Sequence, residues 1–359
     1  MSKIFVTKSY LPPQEEYIEY LNGIWERHHL TNQGPLVTEL EAKLKSYLGL
    51  EQLHFCSNGT VVLQLALRAL GIDGEVITTP FSYCATSHVI VWEKATPVFA
   101  DILPDTLCID PDAIEAAITP RTQAILATHV YGIPCDVDRI EAIARKHGLH
   151  VIYDAAHTFG VKLNGRSLLS FGDVATCSFH ATKVFHTVEG GMITTPNAEL
   201  AAQIKLYRSF GHTNDDYYDI GINAKNSEFH AAMGLCNLPK VGEIIADRKF
   251  VTELYDAHLN WDKIRQPVIP ASVERNYAYY PVFFDSEETL LRVREALNAE
   301  EIYPRRYFFP SLNTLSFLRV NKACPVSEDM ALRVLSLPLY PDLPEADVLR
   351  IASIINRNL

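Results

Sequence analysis

One lysine, Lys183, stands among neighbours that could give it a chemical task. Ser178-Phe179-His180-Ala181-Thr182 leads into it, and Val184-Phe185-His186-Thr187-Val188-Glu189-Gly190-Gly191 follows, placing a small hydroxyl upstream and a glycine pair downstream. Earlier in the chain the apolar run Val151-Ile152-Tyr153 ends in Asp154. A lysine amine can form an imine with an aldehyde, and a carboxylate opposite a pyridine nitrogen keeps that ring protonated and able to take up electrons. Pyridoxal phosphate (PLP) chemistry requires both. Lysines are ordinarily solvated surface residues, so the weight rests on the combination.

Ser57-Asn58-Gly59-Thr60 adds a third part. Placed between an apolar strand-like run and a helical one, it offers backbone N–H groups, the positive end of a helix and a hydroxyl, which together suit a phosphate. The Ser/Asn pair is also what an ordinary helix cap uses. Tyr83 can lie over a planar ring or pack as a core aromatic. Asp154 reads as the partner of a pyridine nitrogen or as a cap after a strand, His157 as a neighbour of the ring, and Ser178 as a phosphate ligand. In this reading Lys183 and Asp154 are the catalytic pair, and Lys183 shuttles a proton, which requires its amine to be uncharged when it acts.

The chain that must position these groups has 359 residues, 48% of them hydrophobic and 21% charged, enough for a large core and two domains. A net charge of −11 opposes a nucleic-acid or anionic-membrane surface. Neither a bilayer-length apolar run nor a leader-like N-terminus is present, and the seven cysteines lack any CxxC pair, so no metal site is expected and the cytoplasm is the expected compartment.

Strand-like runs at Leu53–Cys56, Glu75–Thr78, Pro97–Ala100, Ala124–Ala127 and Val151–Asp154 alternate with helical ones at 61–70, 85–94, 111–118 and 137–147. Near-continuous apolar strands alternating with helices predict an α/β fold with a mostly parallel sheet covered by helices on both faces. Asn58, Tyr83, His129 and Asp154 then fall beyond strand carboxyl ends, where such sheets bind ligands. After residue 240 longer helices and Pro-rich links suggest a smaller α+β domain, giving 1–240 as the large PLP-binding unit and 241–359 as the small one.

Taken together, Ser57-Asn58-Gly59-Thr60, Asp154-Ala155-Ala156-His157, Ser178 to Lys183 and Glu189-Gly190-Gly191 resemble the DegT/StrS family of PLP-dependent nucleotide-sugar aminotransferases. The resemblance runs nearly end to end. Leu30-Thr31-Asn32-Gln33-Gly34-Pro35 is similar to the family's substrate loop, and Gly221 to Glu228 to the stretch that crosses to the neighbouring subunit. Ala224-Lys225-Asn226 departs from the aromatic, basic and Met residues often found there, and His230 from a common Gln.

The resemblance implies a fold-type I aminotransferase working as a homodimer with shared active sites. It also implies a two-stage reaction through pyridoxamine phosphate, with L-glutamate leaving as 2-oxoglutarate. Implied cofactor ligands are Asn58, Gly59, Thr60, Tyr83, Asp154, His157, Ser178 and Lys183, with Asn223 donated in trans to the phosphate. Arg305-Arg306-Tyr307-Phe308-Phe309-Pro310 is similar to the C-terminal substrate loop, so Thr31, Arg305, Arg306 and Tyr307 are the expected substrate contacts; without the resemblance, paired arginines also suit a solvated turn. Similarity to members acting on dTDP-linked 6-deoxy keto sugars points to dTDP-4-dehydro-6-deoxy-D-glucose as acceptor, giving dTDP-4-amino-4,6-dideoxy-D-glucose for O-antigen or a similar glycan. A 3-keto isomer is the alternative. A sugar dehydratase of the same family would carry His in place of Lys183, and a non-catalytic relative would have lost Lys183 or Asp154; both are present.

Overall fold

The structure, a computed structural model, describes residues 3–320 and 322–359. Met1 and Ser2, at the start of the first expected domain, and Asn321, within the second, lie outside the described residues.

Seven strands form the central sheet: β1 (His54–Cys56), β2 (Glu75–Thr78), β3 (Thr96–Phe99), β4 (Thr122–Thr128), β5 (His150–Asp154), β6 (Val174–Ser178) and β7 (Gly191–Thr194). Their spatial order is β1-β7-β6-β5-β4-β2-β3. All pairings from β6 through to β3 are parallel, and only β7 runs against both its neighbours. The expected mostly parallel α/β sheet is therefore present.

Its strands read as continuous apolar runs because both faces are buried. Ile77, Ile125, Val151, Tyr153 and Ala175 point into one core, with Leu40, Leu44, Ile140 and Ile143 from covering helices. Their alternates Val76, Ala124, Leu126, Ile152 and Val174 point into another, with Val62, Val89, Ile90 and Ile204. The period-2 alternation of a strand makes this division.

Local signals set where the covering helices begin and end. Asn58 opens the helix Gly59–Ala69, its Oδ1 accepting from the N–H groups of Thr60 (3.0 Å) and Val61 (2.9 Å). Asp136 caps Val137–His147, which ends at Gly148 in the left-handed region (φ +68°).

A second apolar core joins Val251 and Tyr255 of the helix Val241–His258 to Leu290 and Val293 of Glu287–Ala299 and to Ile351 and Ile355 of Glu345–Arg357. Pro281–Phe283 pairs with Val334–Ser336 there. The N-terminal strand Ile4–Phe5 crosses to this region, pairing in parallel with Ile302–Tyr303 and burying Ile4 in its core. Among the described residues no helix is long and apolar enough to cross a membrane.

Candidate active site

A cavity of about 270 Å³ opens at the carboxyl ends of the sheet strands. Thr128 ends β4, Asp154 ends β5 and Ser178 ends β6, and all three line it, with Asn58, Gly59 and Thr60 just after β1. The parallel register sets Thr128 opposite Asp154 and Asp154 opposite Thr176, with Ser178 two residues further along β6. Tyr279, Tyr307 and Phe308 form a wall from the C-terminal third.

One corner is built by close backbone approach. A Cβ on Gly59 would lie 2.8 Å from the Ser178 Cβ and 3.0 Å from its Oγ, and one on Gly191 would lie 2.5 Å from the carbonyl oxygen of Asn58. Only glycine lets the start of the helix and the end of β6 meet this closely. The result is a concave, polar corner of the kind that receives an anion.

Asp154 is buried, with Oδ2 accepting from Thr86 Oγ1 (2.7 Å) and Oδ1 from the Ala156 N–H (3.2 Å). Thr86 in turn meets Ser82 Oγ (2.7 Å), which reaches Thr128 Oγ1 (3.1 Å). Burial is the dominant influence and raises the Asp154 pKa, while the Thr86 and Ala156 bonds and the Lys183 charge offset part of the rise. Such a carboxylate gains from any further cation placed against it.

His157 Nδ1 accepts the N–H of Tyr131 (3.1 Å), which puts the ring hydrogen on Nε2. Its ring stacks on Phe308 with centroids 5.7 Å apart and meets Tyr279 edge-on at 4.7 Å. Burial, with the Lys183 charge, holds it neutral, well below the usual histidine pKa.

The Lys183 N–H donates to the carbonyl of His180 (2.9 Å) in the turn after β6, and Nζ donates to the Tyr279 hydroxyl (3.3 Å). Burial is the largest influence on the ammonium and pulls its pKa down; Tyr279, Asp154 and Cys177 together outweigh it and hold the pKa above the ordinary value.

Among the other residues singled out from sequence, Tyr83 lines the cavity with its side chain largely exposed, at the mouth rather than in a core. Tyr307 lines it as well. Arg305 is exposed, with its guanidinium 5.3 Å from the Tyr307 ring centroid. Arg306 is engaged elsewhere: it donates to Glu287 Oε1 (2.8 Å) and the Leu332 carbonyl (3.0 Å) and lies 3.5 Å over the Phe309 ring. Thr31 and Asn223 are exposed and not part of the cavity wall in this single chain. His129, at the end of β4, lies behind the wall, stacked on Tyr153 at 4.4 Å.

Asn226 Nδ2 donates to the carbonyls of Cys56 (3.2 Å) and Glu189 (3.0 Å), tying the 221–228 segment to the end of β1 and the glycine pair. Buried Glu228 accepts from the N–H groups of Leu36 (3.0 Å) and Val37 (2.9 Å), fastening the start of the helix that follows Thr31. His230 Nδ1 contacts Ser227 Oγ at 2.7 Å.

Several lining residues had no role assigned from the sequence: Ser82, its hydrogen-bond partner Thr128, His180, Glu189, Tyr279 and Phe308. Ser82 could have been found as the neighbour of Tyr83, and Thr128 as the end of an apolar strand. The sequence around Tyr279, Asn276-Tyr277-Ala278-Tyr279-Tyr280, carries no such signal.

A family model described as the DegT/DnrJ/EryC1/StrS aminotransferase family matches residues 13–356. The dTDP-4-amino-4,6-dideoxy-D-glucose transaminase of Shigella dysenteriae is 42% identical, over 96% of this chain and 96% of the relative. The Escherichia coli protein of the same description is 38% identical, over 98% of this chain and 97% of its own. A crystal structure of DesI with its TDP-sugar product superposes with a TM-score of 0.94 at 35% identity, covering 99% of this chain and 93% of that one.

Proposed function

The chain belongs to the DegT/DnrJ/EryC1/StrS aminotransferase family, and on that footing we propose that it uses pyridoxal 5'-phosphate to move an amino group from L-glutamate to dTDP-4-dehydro-6-deoxy-D-glucose. The products are 2-oxoglutarate and dTDP-4-amino-4,6-dideoxy-D-glucose, the latter a precursor of O-antigen lipopolysaccharide or a similar glycan, and the cytoplasm is the enzyme's compartment in this reading. Support for the sugar comes from the two transaminases of that description, aligned over nearly the whole chain. The observation that carries the chemistry is the meeting of Lys183, Asp154 and the Gly59–Ser178 corner in one cavity.

These residues fit the cofactor. The glycine corner lets the start of a helix and the Ser178 hydroxyl line one end of the cavity beside Thr60, a donor set that suits a phosphate, and the buried Asp154 carboxylate suits a protonated ring nitrogen. When bound, the cofactor supplies an aldehyde to carry the amino group and a ring to accept the electron pair released at the substrate carbon. Asn58, Gly59, Thr60 and Ser178 hold the phosphate end. Asp154 keeps the ring nitrogen charged, and Thr86 and the Ala156 N–H keep its oxygens aimed. His157 offers its Nε2 hydrogen at the ring edge. Lys183 Nζ takes a proton from the amino-acid carbon and returns one to complete the transfer. The aromatic wall of Tyr307 and Phe308 excludes water on one side.

The same reading makes residues 1–240 the cofactor unit and 241–359 a smaller unit, with Ile4–Phe5 lent to the second core. It makes the working form a homodimer in which Asn223 reaches the neighbour's phosphate. Exposed Tyr217, Tyr218 and Ile220, at 77%, 66% and 76%, lie on the segment leading to Asn223 and support a covering second copy. Thr31, Arg305 and Tyr307 then face the nucleotide sugar.

Supplying the enzyme with glutamate and, separately, the 4-keto and 3-keto dTDP-6-deoxyhexoses tests this, with the position of the new amine read by NMR. Amination at C4 is the expected result. Turnover of the 3-keto sugar alone would overturn the choice of substrate.

A further inference from the structure

The loop that carries Tyr279 is fastened at the three residues before it. Buried Asn276 donates both amide hydrogens, to the carbonyls of His157 (2.8 Å) and Phe159 (3.0 Å), while its Oδ1 accepts from the Ala278 N–H (3.1 Å). Tyr277 sits in the left-handed region at φ +52°. Buried Arg248 reaches in from the helix Val241–His258, with Nη1 against the carbonyls of Tyr277 (3.3 Å), Ala278 (3.3 Å) and Leu339 (3.1 Å). Among the described residues no carboxylate forms a salt bridge with this guanidinium, and burial lowers its pKa to about 10. A buried charge facing only carbonyls is costly, and what it secures is the backbone on either side of one turn. The loop then delivers the Tyr279 hydroxyl to Lys183 Nζ at 3.3 Å, with the ring set edge-on against His157 and Tyr307.

We propose that Tyr279 is a further catalytic residue, whose hydroxyl holds the Lys183 amine in place through both of its protonation states. The proposal rests on the transamination reading above. A lysine that takes up a proton and releases it needs a partner able to follow the change. A hydroxyl donates to the lone pair of the neutral amine and accepts from the ammonium, so Tyr279 keeps its own proton while Nζ gains and loses one. A carboxylate there would lock the lysine charged, and a purely apolar wall would let the long side chain swing away once it is free. The other groups facing Lys183 are Asp154 from β5, Cys177 from β6, His157 from the turn after β5 and Tyr307 from the 305–310 loop.

The test is Tyr279→Phe, which keeps the ring contacts and removes the hydroxyl, measured in two ways. In full-length protein freed of cofactor, competitive acetylation followed by mass spectrometry reads the titration midpoint of Lys183. The variant midpoint should lie about one pH unit below wild type, because burial then acts with less opposition. In the loaded enzyme kcat should fall roughly tenfold, with both KM values unchanged and a larger isotope effect from α-deuterated glutamate. An unmoved midpoint with wild-type kcat would overturn the proposal. So would a fall in kcat that merely tracks a lower melting temperature and lost cofactor. Wild-type protein that failed to transaminate at all would instead defeat the transamination reading, while the acetylation midpoint would still report the Tyr279–Lys183 contact.

Discussion

The wall of the cavity built from strand ends is polar and compact, with Thr128, Asp154 and Ser178 each closing a strand and Gly59 pressed against the last of them. The facing wall is aromatic and comes from loops of the C-terminal third, with Tyr279, Tyr307 and Phe308 at its surface. The first wall is placed by hydrogen-bond register between parallel strands, which sets Thr128 directly opposite Asp154. The second is placed by long-range side-chain bonds, from Arg248 to the Tyr277 carbonyl, from Asn276 to the His157 carbonyl and from the Tyr131 hydroxyl to the Tyr307 carbonyl. Polar groups proposed to meet the cofactor therefore lie at strand ends or in the turns and helix start that follow them, and the aromatic groups proposed to enclose it lie on loops.

If this division of labour holds, a minimal change on the strand-end wall should have the largest effect. Asp154→Asn is expected to lower kcat on the order of 10²–10³-fold, the scale of losing one preorganised electrostatic partner. The same change should raise the melting temperature of cofactor-free protein. Burial holds the folded Asp154 pKa above its unfolded value, so ionisation penalises the folded state at pH values above that range, and a neutral isostere removes the penalty. Turnover together with calorimetry checks both signs; a stable, fully active variant would break the comparison.

On the loop side, two adjacent arginines should separate. Arg306, engaged by Glu287 and the Leu332 carbonyl, should cost about 1–3 kcal/mol of stability when changed to Ala, with kinetics preserved in the folded fraction. Exposed Arg305 should leave stability intact and raise the KM for the nucleotide sugar about tenfold at unchanged kcat. Denaturation curves and initial rates on the two variants distinguish them.

The smallest effect lies away from both walls. His54 donates to the Ala201 carbonyl (2.8 Å), and burial, aided by the Arg208 charge, lowers its pKa to about 4. The unfolded chain takes up a proton near the ordinary histidine pKa of about 6.5, which the folded chain refuses until about pH 4. Stability from this group is therefore level above that window and falls as pH drops through it. The melting-temperature advantage of wild type over His54→Gln should shrink between those pH values.

The same contrast explains what could be read from the sequence. Asp154, Ser178 and Lys183 are legible because an apolar strand run, a chemically distinctive residue and a glycine turn lie next to each other in the chain. Burial of Val151-Ile152-Tyr153 on both faces is legible too, from its unbroken apolar run. Tyr279 is not, because its position depends on Arg248 and Asn276, and an aromatic among aromatics gives no local sign of that. Arg306 reads as a substrate contact beside Arg305, yet its carboxylate and carbonyl partners are distant in sequence and turn it aside. The crossing of Ile4–Phe5 to the second core is hidden likewise, since a short strand carries no mark of its partner.

The most direct test of the central claim, that Lys183 in this cavity performs amino transfer, is a half-reaction without acceptor. PLP-loaded protein and its Lys183→Ala variant, each purified and checked for an unchanged melting profile, would be mixed with L-glutamate and the 2-oxoglutarate released per chain counted. The account predicts close to one equivalent from wild type and none on the same timescale from the variant. Equal release from both would contradict it.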